Sequence, residues 1–278
     1  DLADAETLVP GTPLEGSIGD LGLGAQALRP HPGAPLVDAA DANGALGIVG
    51  STRFLSVDDA AALNPQQLTL EAWIRTDGTL PSWATVMMKS TTGSWNDGYG
   101  LANFTDGRIH FFLNNYSSNN ISAALVANTW THVAATYDGA EMRLYVNGEL
   151  AASKAFTGAI THSAQALRIG NGSGGYPWRG QIDEARVWSV ARSAAEIAAN
   201  YQQALAGNEA GLEGWWRMDE PVDAGSVFVD SSTAGRDALL VNAPAVETRL
   251  FAFDAVAGQR YFLDQQALSS DILTIRLF

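Results

Sequence analysis

The feature that most restricts how this chain folds is a hydrophobic period of two, repeated in short runs between clusters of turn-forming residues. Leu68-Thr69-Leu70-Glu71-Ala72-Trp73-Ile74 alternates cleanly, Trp83–Met88 is a second apolar run before the loop Ser90–Gly98, and Arg108–Leu113 and Thr131–Tyr137 continue the series. Asp138-Gly139 closes one strand, Met142–Val146 forms the next, and Asn147-Gly148, the pair favoured in a type I′ turn, leads back through Glu149–Lys154. Strands of this length and spacing predict an all-β fold, a two-sheet antiparallel jelly-roll sandwich. One short helix interrupts them: Ser193 and Glu196 have capping-box spacing, Ile197, Tyr201 and Leu205 share a face, and Gly207 is placed to end it. Residues 1–43, rich in Gly, Ala, Pro and Asp, are expected to be a lead-in segment, 44–247 the jelly-roll domain, and 248–278, with Phe251, Phe253, Tyr261 and Phe262, a tail that starts a neighbouring module.

Composition narrows the function classes. Thirty acidic against 16 basic residues give a net charge of −14, which repels phosphate backbones and anionic lipid and argues against a nucleic-acid or membrane-surface partner. The absence of cysteine removes disulfides, thiolate nucleophiles and Cys-ligated zinc. No apolar run approaches the roughly 18 residues of a membrane span. The chain opens at Asp1 without Met or a signal segment, as an excised piece or mature segment would.

Several motifs invite chemistry. Gly170, Gly172 and Gly175 spell GxGxxG, but they run into Tyr176-Pro177-Trp178-Arg179-Gly180 and another strand, whereas dinucleotide binding needs a helix N-terminus there. His31, His110, His132 and His162 lie far apart, and His132 reads as a packed histidine with local partners. Glycoside hydrolysis needs two facing carboxylates, yet Asp183-Glu184 and Asp219-Glu220 are adjacent pairs on opposite faces and Asp58-Asp59 falls in a loop. Strict alternation groups Asp183 with Ala185 and Val187, and a buried carboxylate there is either held by backbone N–H groups or coordinated to calcium. Asp41-Ala42-Asn43-Gly44 echoes an EF-hand loop without its first Asp or its final Glu. Large rings also stand in Gly/Asn/Ser loops: Trp95-Asn96-Asp97, Tyr116, and Tyr176 with Trp178. Such rings either stack on the apolar face of a sugar while amides and carboxylates bond its hydroxyls, or fold back to cap the sandwich. Asn-x-Ser/Thr sequons stand at Asn103, Asn115, Asn120 and Asn171.

Four segments in order, Leu70–Ile74, Trp130–Gly139 with Leu144–Gly148, Leu167–Gly170, and Gly180–Trp188 leading into Ala191–Ile197, resemble the laminin-G-like jelly-roll domains of the concanavalin A-like lectin/glucanase superfamily. The sequel Gly207–Leu212 to Trp216–Glu220, with Asp230-Ser231-Ser232, is similar to the extension that closes such domains. The resemblance implies a non-catalytic, lectin-like or adhesion module of a larger secreted or cell-surface protein. Its partners would be a glycan or cell-surface ligand and neighbouring domains of the same polypeptide. It further implies calcium held by Asp183, although Ile48-Val49-Gly50 stands where many members read Phe-Asp-Gly. Trp73, Trp130, His132 and Trp188 match structural positions. The residues expected to bind carbohydrate are Trp95, Asn96, Asp97, Tyr116, Tyr176 and Trp178. A spacer with the same fold and no small-ligand site is the alternative, and a glycan-cleaving enzyme is a third reading.

Overall fold

The computed structural model describes residues 46–47, 53–76, 78, 81–91, 95–172, 174–219 and 226–242, which all belong to one unit spanning 33–247. The lead-in over 1–43, the tail from 248, the Asp41–Gly44 loop, Ile48–Gly50 and Glu220 lie outside the described residues.

In chain order the first strands are β1 (Leu46–Gly47), β2 (Phe54–Val57), β3 (Leu68–Thr76), β4 (Thr85–Lys89), β5 (Tyr99–Asn103), β6 (Arg108–Leu113), β7 (Asn120–Ala124), β8 (Thr131–Tyr137), β9 (Glu141–Val146) and β10 (Glu149–Ala155). They are followed by β11 (Leu167–Ile169), β12 (Asn171–Gly172), β13 (Tyr176–Pro177) and β14 (Gly180–Trp188), the helix α1 (Ala194–Asn200), then β15 (Leu212–Trp216), β16 (Val227–Phe228) and β17 (Ala238–Val241). One sheet runs β1-β14-β3-β8-β9-β10, with β15 on β14. The other runs β16-β17-β2-β11-β4-β5-β6-β7, with the β12–β13 hairpin against β4. Apart from the single parallel step of β13 onto β4, every pairing is antiparallel, so the jelly-roll sandwich expected from the period-two pattern is the fold.

The alternation places the core. Leu70, Ala72 and Ile74 of β3 and Val133 and Ala135 of β8 point inward against Met87 of β4, Leu101 of β5 and Ile109, Phe111 and Leu113 of β6, all essentially inaccessible. The outer faces differ in what covers them. On the β3–β8–β14 sheet, α1 lays Ile197 onto Ala134 and Tyr145. Its N-terminus carries the expected capping box, with Ser193 accepting from the Glu196 amide and Glu196 accepting from the Ser193 amide. The helix is shorter than the sequence pattern suggests: Tyr201 is its C-cap, and its carbonyl accepts a hydrogen bond from Trp73 Nε1 at 3.1 Å. Leu205 therefore lies beyond the helix, packed on Trp188, Leu212 and Trp215. Gly207 (φ +87°) serves a close approach instead, since a Cβ there would sit 2.3 Å from the Ser231 carbonyl oxygen.

Beneath α1 lies a buried ionic cluster. Glu71, wholly inaccessible, contacts Arg192 Nη1 at 2.6 Å, His132 Nε2 at 3.5 Å and Arg186 Nη1 at 3.6 Å. Burial alone would raise the Glu71 pKa, but His132, Arg186 and Arg192 outweigh it and hold the carboxyl at about 2. His132 is buried, as read from sequence, with its ring edge-on to Trp73 at 5.5 Å and Nε2 3.5 Å from Glu71, and burial pushes the imidazole below its ordinary value. Trp73, Trp130 and Trp188 are likewise buried, as their matched positions imply.

Candidate functional site

The outer face of the other sheet carries an aromatic cluster. Arg108, His110 and Phe112 alternate outward along β6 while Ile109, Phe111 and Leu113 enter the core. Phe112 leans over Gly100 of β5, where a Cβ would meet its ring at 2.7 Å, so glycine makes room for the ring. Trp95 lies parallel on Phe112, with centroids 5.6 Å apart and planes 8° from parallel. Trp83, Tyr116 and Tyr176 stand edge-on to Trp95 at 5.6, 5.9 and 5.7 Å, and Phe104 closes the group against Trp83 at 5.3 Å. Trp95, Phe104 and Phe112 are buried, whereas Trp83, Tyr116 and Tyr176 are half-buried and form the accessible rim. Both tryptophans occupy the left-handed backbone region, Trp83 at φ +69° and Trp95 at φ +46°, which is costly for a bulky side chain and is held here by its surroundings.

The Trp95 loop is pinched at its base. Gly98 (φ +65°) sits so close to Lys89 that a Cβ would fall 1.8 Å from the Lys89 carbonyl oxygen. Asp97 accepts from Ser90 Oγ at 2.9 Å and from the Thr91 amide at 2.7 Å, and its second oxygen meets Thr91 Oγ1. Burial pushes its carboxyl up, but the Thr91 and Ser90 bonds and the Lys89 charge hold it below the usual range. At the tip, exposed Asn96 accepts from Asn115 Nδ2 at 3.1 Å, and the Tyr116 amide donates to the Trp95 carbonyl at 3.2 Å.

A polar relay supports the Tyr116 edge. Asp106 meets His110 Nε2 at 2.9 Å, His110 Nδ1 meets Asn120 Oδ1 at 3.2 Å, and Asn120 Nδ2 donates to the Tyr116 carbonyl at 2.7 Å. The imidazole also stacks on Phe104 with centroids 4.0 Å apart. Burial raises the Asp106 carboxyl, but hydrogen bonds led by His110 bring it below its ordinary value.

Of the residues singled out from sequence, Trp95, Asn96, Asp97, Tyr116 and Tyr176 come together at this one face. Trp178 does not. It is inaccessible in the intersheet core and donates from Nε1 to the Arg75 carbonyl at 3.4 Å, so it has folded back to fill the sandwich and leaves the candidate set. Asp97 is engaged in closing its own loop. Trp83, Phe104, His110 and Phe112 escaped the sequence reading. The available signal was in β6, where Phe112 falls on the strand face that the alternation reserves for polar side chains.

Asp183 departs from strict alternation. The register of β14 against β3 breaks between Asp183 and Arg186, and Glu184 adopts φ +51° in the bulge. Ile182, Ala185 and Val187 all reach the core, while Asp183 pairs with outward-facing Trp73 rather than sharing the face of Ala185 and Val187. It is 3% exposed and accepts from the Glu184 amide at 2.8 Å; burial and the Glu184 charge push its pKa well up. A buried carboxylate this poorly compensated fits a cation neighbour in charge. Among the described residues no three His, Cys, Asp or Glu side chains converge on a metal position, so other ligands would be carbonyl or water oxygens. Asn171-Gly172 form β12 and Gly174-Gly175 a turn into β13, with no helix among these described residues, in keeping with the reading of the glycines as a loop.

Two facing antiparallel sheets, one outer face closed by a helix and the other bearing an aromatic cluster, define a jelly-roll sandwich of the lectin type. Residues 49–198, more than half of the chain, match the laminin-G-type family model of the concanavalin A-like lectin/glucanases superfamily, and the chain belongs to that superfamily. Mouse pappalysin-1 is 29% identical over 154 residues, covering 48% of this chain and 10% of that protein, and human pappalysin-1 matches with the same figures. The chain thus spans about a tenth of the length of these curated relatives. A solved structure of a candidate carbohydrate-binding protein from Bacteroides ovatus ATCC 8483 shares the fold at TM-score 0.57 and 24% identity, over 70% of this chain and 58% of that one. Among the described residues no helix is long and apolar enough to cross a membrane.

Proposed function

We propose that this chain is a non-catalytic carbohydrate-binding module whose glycan rests on the half-buried rings of Trp83, Tyr116 and Tyr176. The observation that carries the proposal is the aromatic cluster on the outer sheet face, built with two tryptophans in left-handed backbone and edged by the Asn96 and Asn115 amides. Rings buried at their base and open at their edges give a sugar an apolar surface, and the amides give its hydroxyls partners. Superfamily membership and the description of the Bacteroides ovatus relative run the same way. A non-catalytic role is supported by the engagement of the nearby carboxylates, Asp97 with Ser90 and Thr91, Asp106 with His110.

In the same proposal the module is residues 44–247 of a longer secreted or cell-surface polypeptide, with 1–43 leading in and 248–278 beginning its neighbour; the partial match to a much longer protein supports that setting. Calcium at Asp183 is a further part of it. A glycan array probed with the purified domain, once with calcium and once with EDTA, tests the reading. Binding in either condition supports it, and silence in both from a folded domain replaces it with the spacer alternative. Calcium is tested separately by melting: a calcium-dependent rise in Tm that Asp183→Asn abolishes supports the ion at that residue, and an equal rise in both proteins refutes it.

A further inference from the structure

We infer that Arg168 is a charged subsite beside the aromatic cluster, which makes the preferred ligand an anionic glycan; the inference rests on the carbohydrate-binding reading above. Leu167 and Ile169 of β11 enter the core, so Arg168 between them faces outward on the same side of the sheet as the cluster. Its register is continuous with the cluster floor: Phe112 pairs with Gly100, Gly100 with Met88, Met88 with Arg168 and Arg168 with Ser56. At about 4.8 Å per strand spacing, Arg168 stands one spacing from Met88 and about 14 Å from Phe112, within the reach of a short oligosaccharide seated on the rings.

The guanidinium is also presented for use. Its central carbon lies 4.7 Å from the centroid of the Phe54 ring, over its face, and the residue is half-buried. It forms no ion pair or hydrogen bond with any described residue. Exposed Arg179 shares this, whereas Arg143, Arg186, Arg192, Arg217 and Arg236 each meet a carboxylate. A planar fork of donors with no partner among the described residues suits a bidentate anion, either the carboxylate of a uronic acid or a sulfate ester.

The test is titration calorimetry with one neutral oligosaccharide and two derivatives of the same backbone, one carrying a uronate and one a sulfate, against the wild-type domain and Arg168→Gln. At least one anionic derivative is expected to bind wild type tenfold or more tighter than the neutral sugar. Arg168→Gln should bring it to within threefold of the neutral sugar while leaving neutral binding unchanged. The derivative that shows the gain identifies the anion. Should Arg168→Gln fail to fold, Arg168→Lys, which keeps the charge and loses the fork, is expected to cut the preference at least threefold. Equal affinity for neutral and anionic sugars in wild type, or a preference that survives both substitutions, overturns the inference and leaves the carbohydrate-binding reading standing. Absence of binding by all three sugars and across the array overturns both.

Discussion

Replacing Glu71 by Gln examines how the helix-covered face is held. The Glu71 carboxylate is inaccessible and faces Arg192, Arg186 and His132, contacts that depress its pKa to about 2 from an ordinary 4.5. At about 1.4 kcal/mol per tenfold change in proton affinity, that difference corresponds to about 3 kcal/mol of stability. Because the folded value lies below the unfolded one, the contribution is fully present above pH 4.5 and is lost as pH falls through about 2. The substitution also leaves the buried Arg192 guanidinium without its carboxylate, while Arg186 keeps Glu184 at 2.9 Å; breaking a buried pair in this way costs about 3–5 kcal/mol in comparable cases. Urea unfolding of wild type and Glu71→Gln at pH 7, 5 and 3 is the assay. The variant is expected to be less stable by about 3 kcal/mol at pH 7 and by nearly the same amount at pH 5, with the gap clearly narrower at pH 3, where Glu71 is already protonated in the unfolded chain while the folded carboxyl stays ionised. A variant within about 1 kcal/mol of wild type at pH 7, or a gap that does not change with pH, would refute the assignment.

Gly98→Ala places a methyl group against the Lys89 carbonyl at a residue with φ +65°, and should destabilise the domain by at least about 2 kcal/mol while red-shifting tryptophan emission as Trp95 loosens. Ser193→Ala removes the side-chain half of the α1 capping box and should cost about 1 kcal/mol in the same unfolding assay. Asn120→Ala cuts the bond to the Tyr116 carbonyl and should weaken glycan binding severalfold by calorimetry with a loss of only about 1 kcal/mol in stability; unchanged affinity would show that the relay does not position the ring.

The sandwich was readable because its signal is local: a period of two along β3, β6, β8 and β9 and the Asn147-Gly148 turn dictate strands and their pairing. Among the strands that went unremarked, β2, β5 and β7 are four or five residues long and carry Gly, Ser or Asn, so burial against neighbours rather than intrinsic pattern makes them strands. The helix was found from Ser193 and Glu196, but its end was set by the Trp73 bond to the Tyr201 carbonyl, a contact 128 residues apart in sequence. The face of Asp183 was misassigned because a bulge inserts one residue without any glycine or proline to announce it. The site was legible where aromatic residues stand in loops, as at Trp95, Tyr116 and Tyr176. It was not legible at Trp83, which reads as the start of an apolar strand run, or at Phe104, which follows the unremarked β5; both meet the cluster only once β4, β5 and β6 lie side by side. Trp178 shows the converse: its loop-like surroundings of Gly, Tyr and Pro disguise a core residue.

The proposed glycan site is the rim of the aromatic cluster. Calorimetric titration of the strongest array ligand into wild type, Tyr116→Ala and Tyr176→Ala, with near-ultraviolet circular dichroism confirming the fold of each, tests it most directly. Loss of a ring that stacks on ligand is expected to weaken binding at least tenfold, about 1.4 kcal/mol, in one or both variants. Full affinity in both, with the fold intact, would place the ligand elsewhere on the molecule and contradict the account.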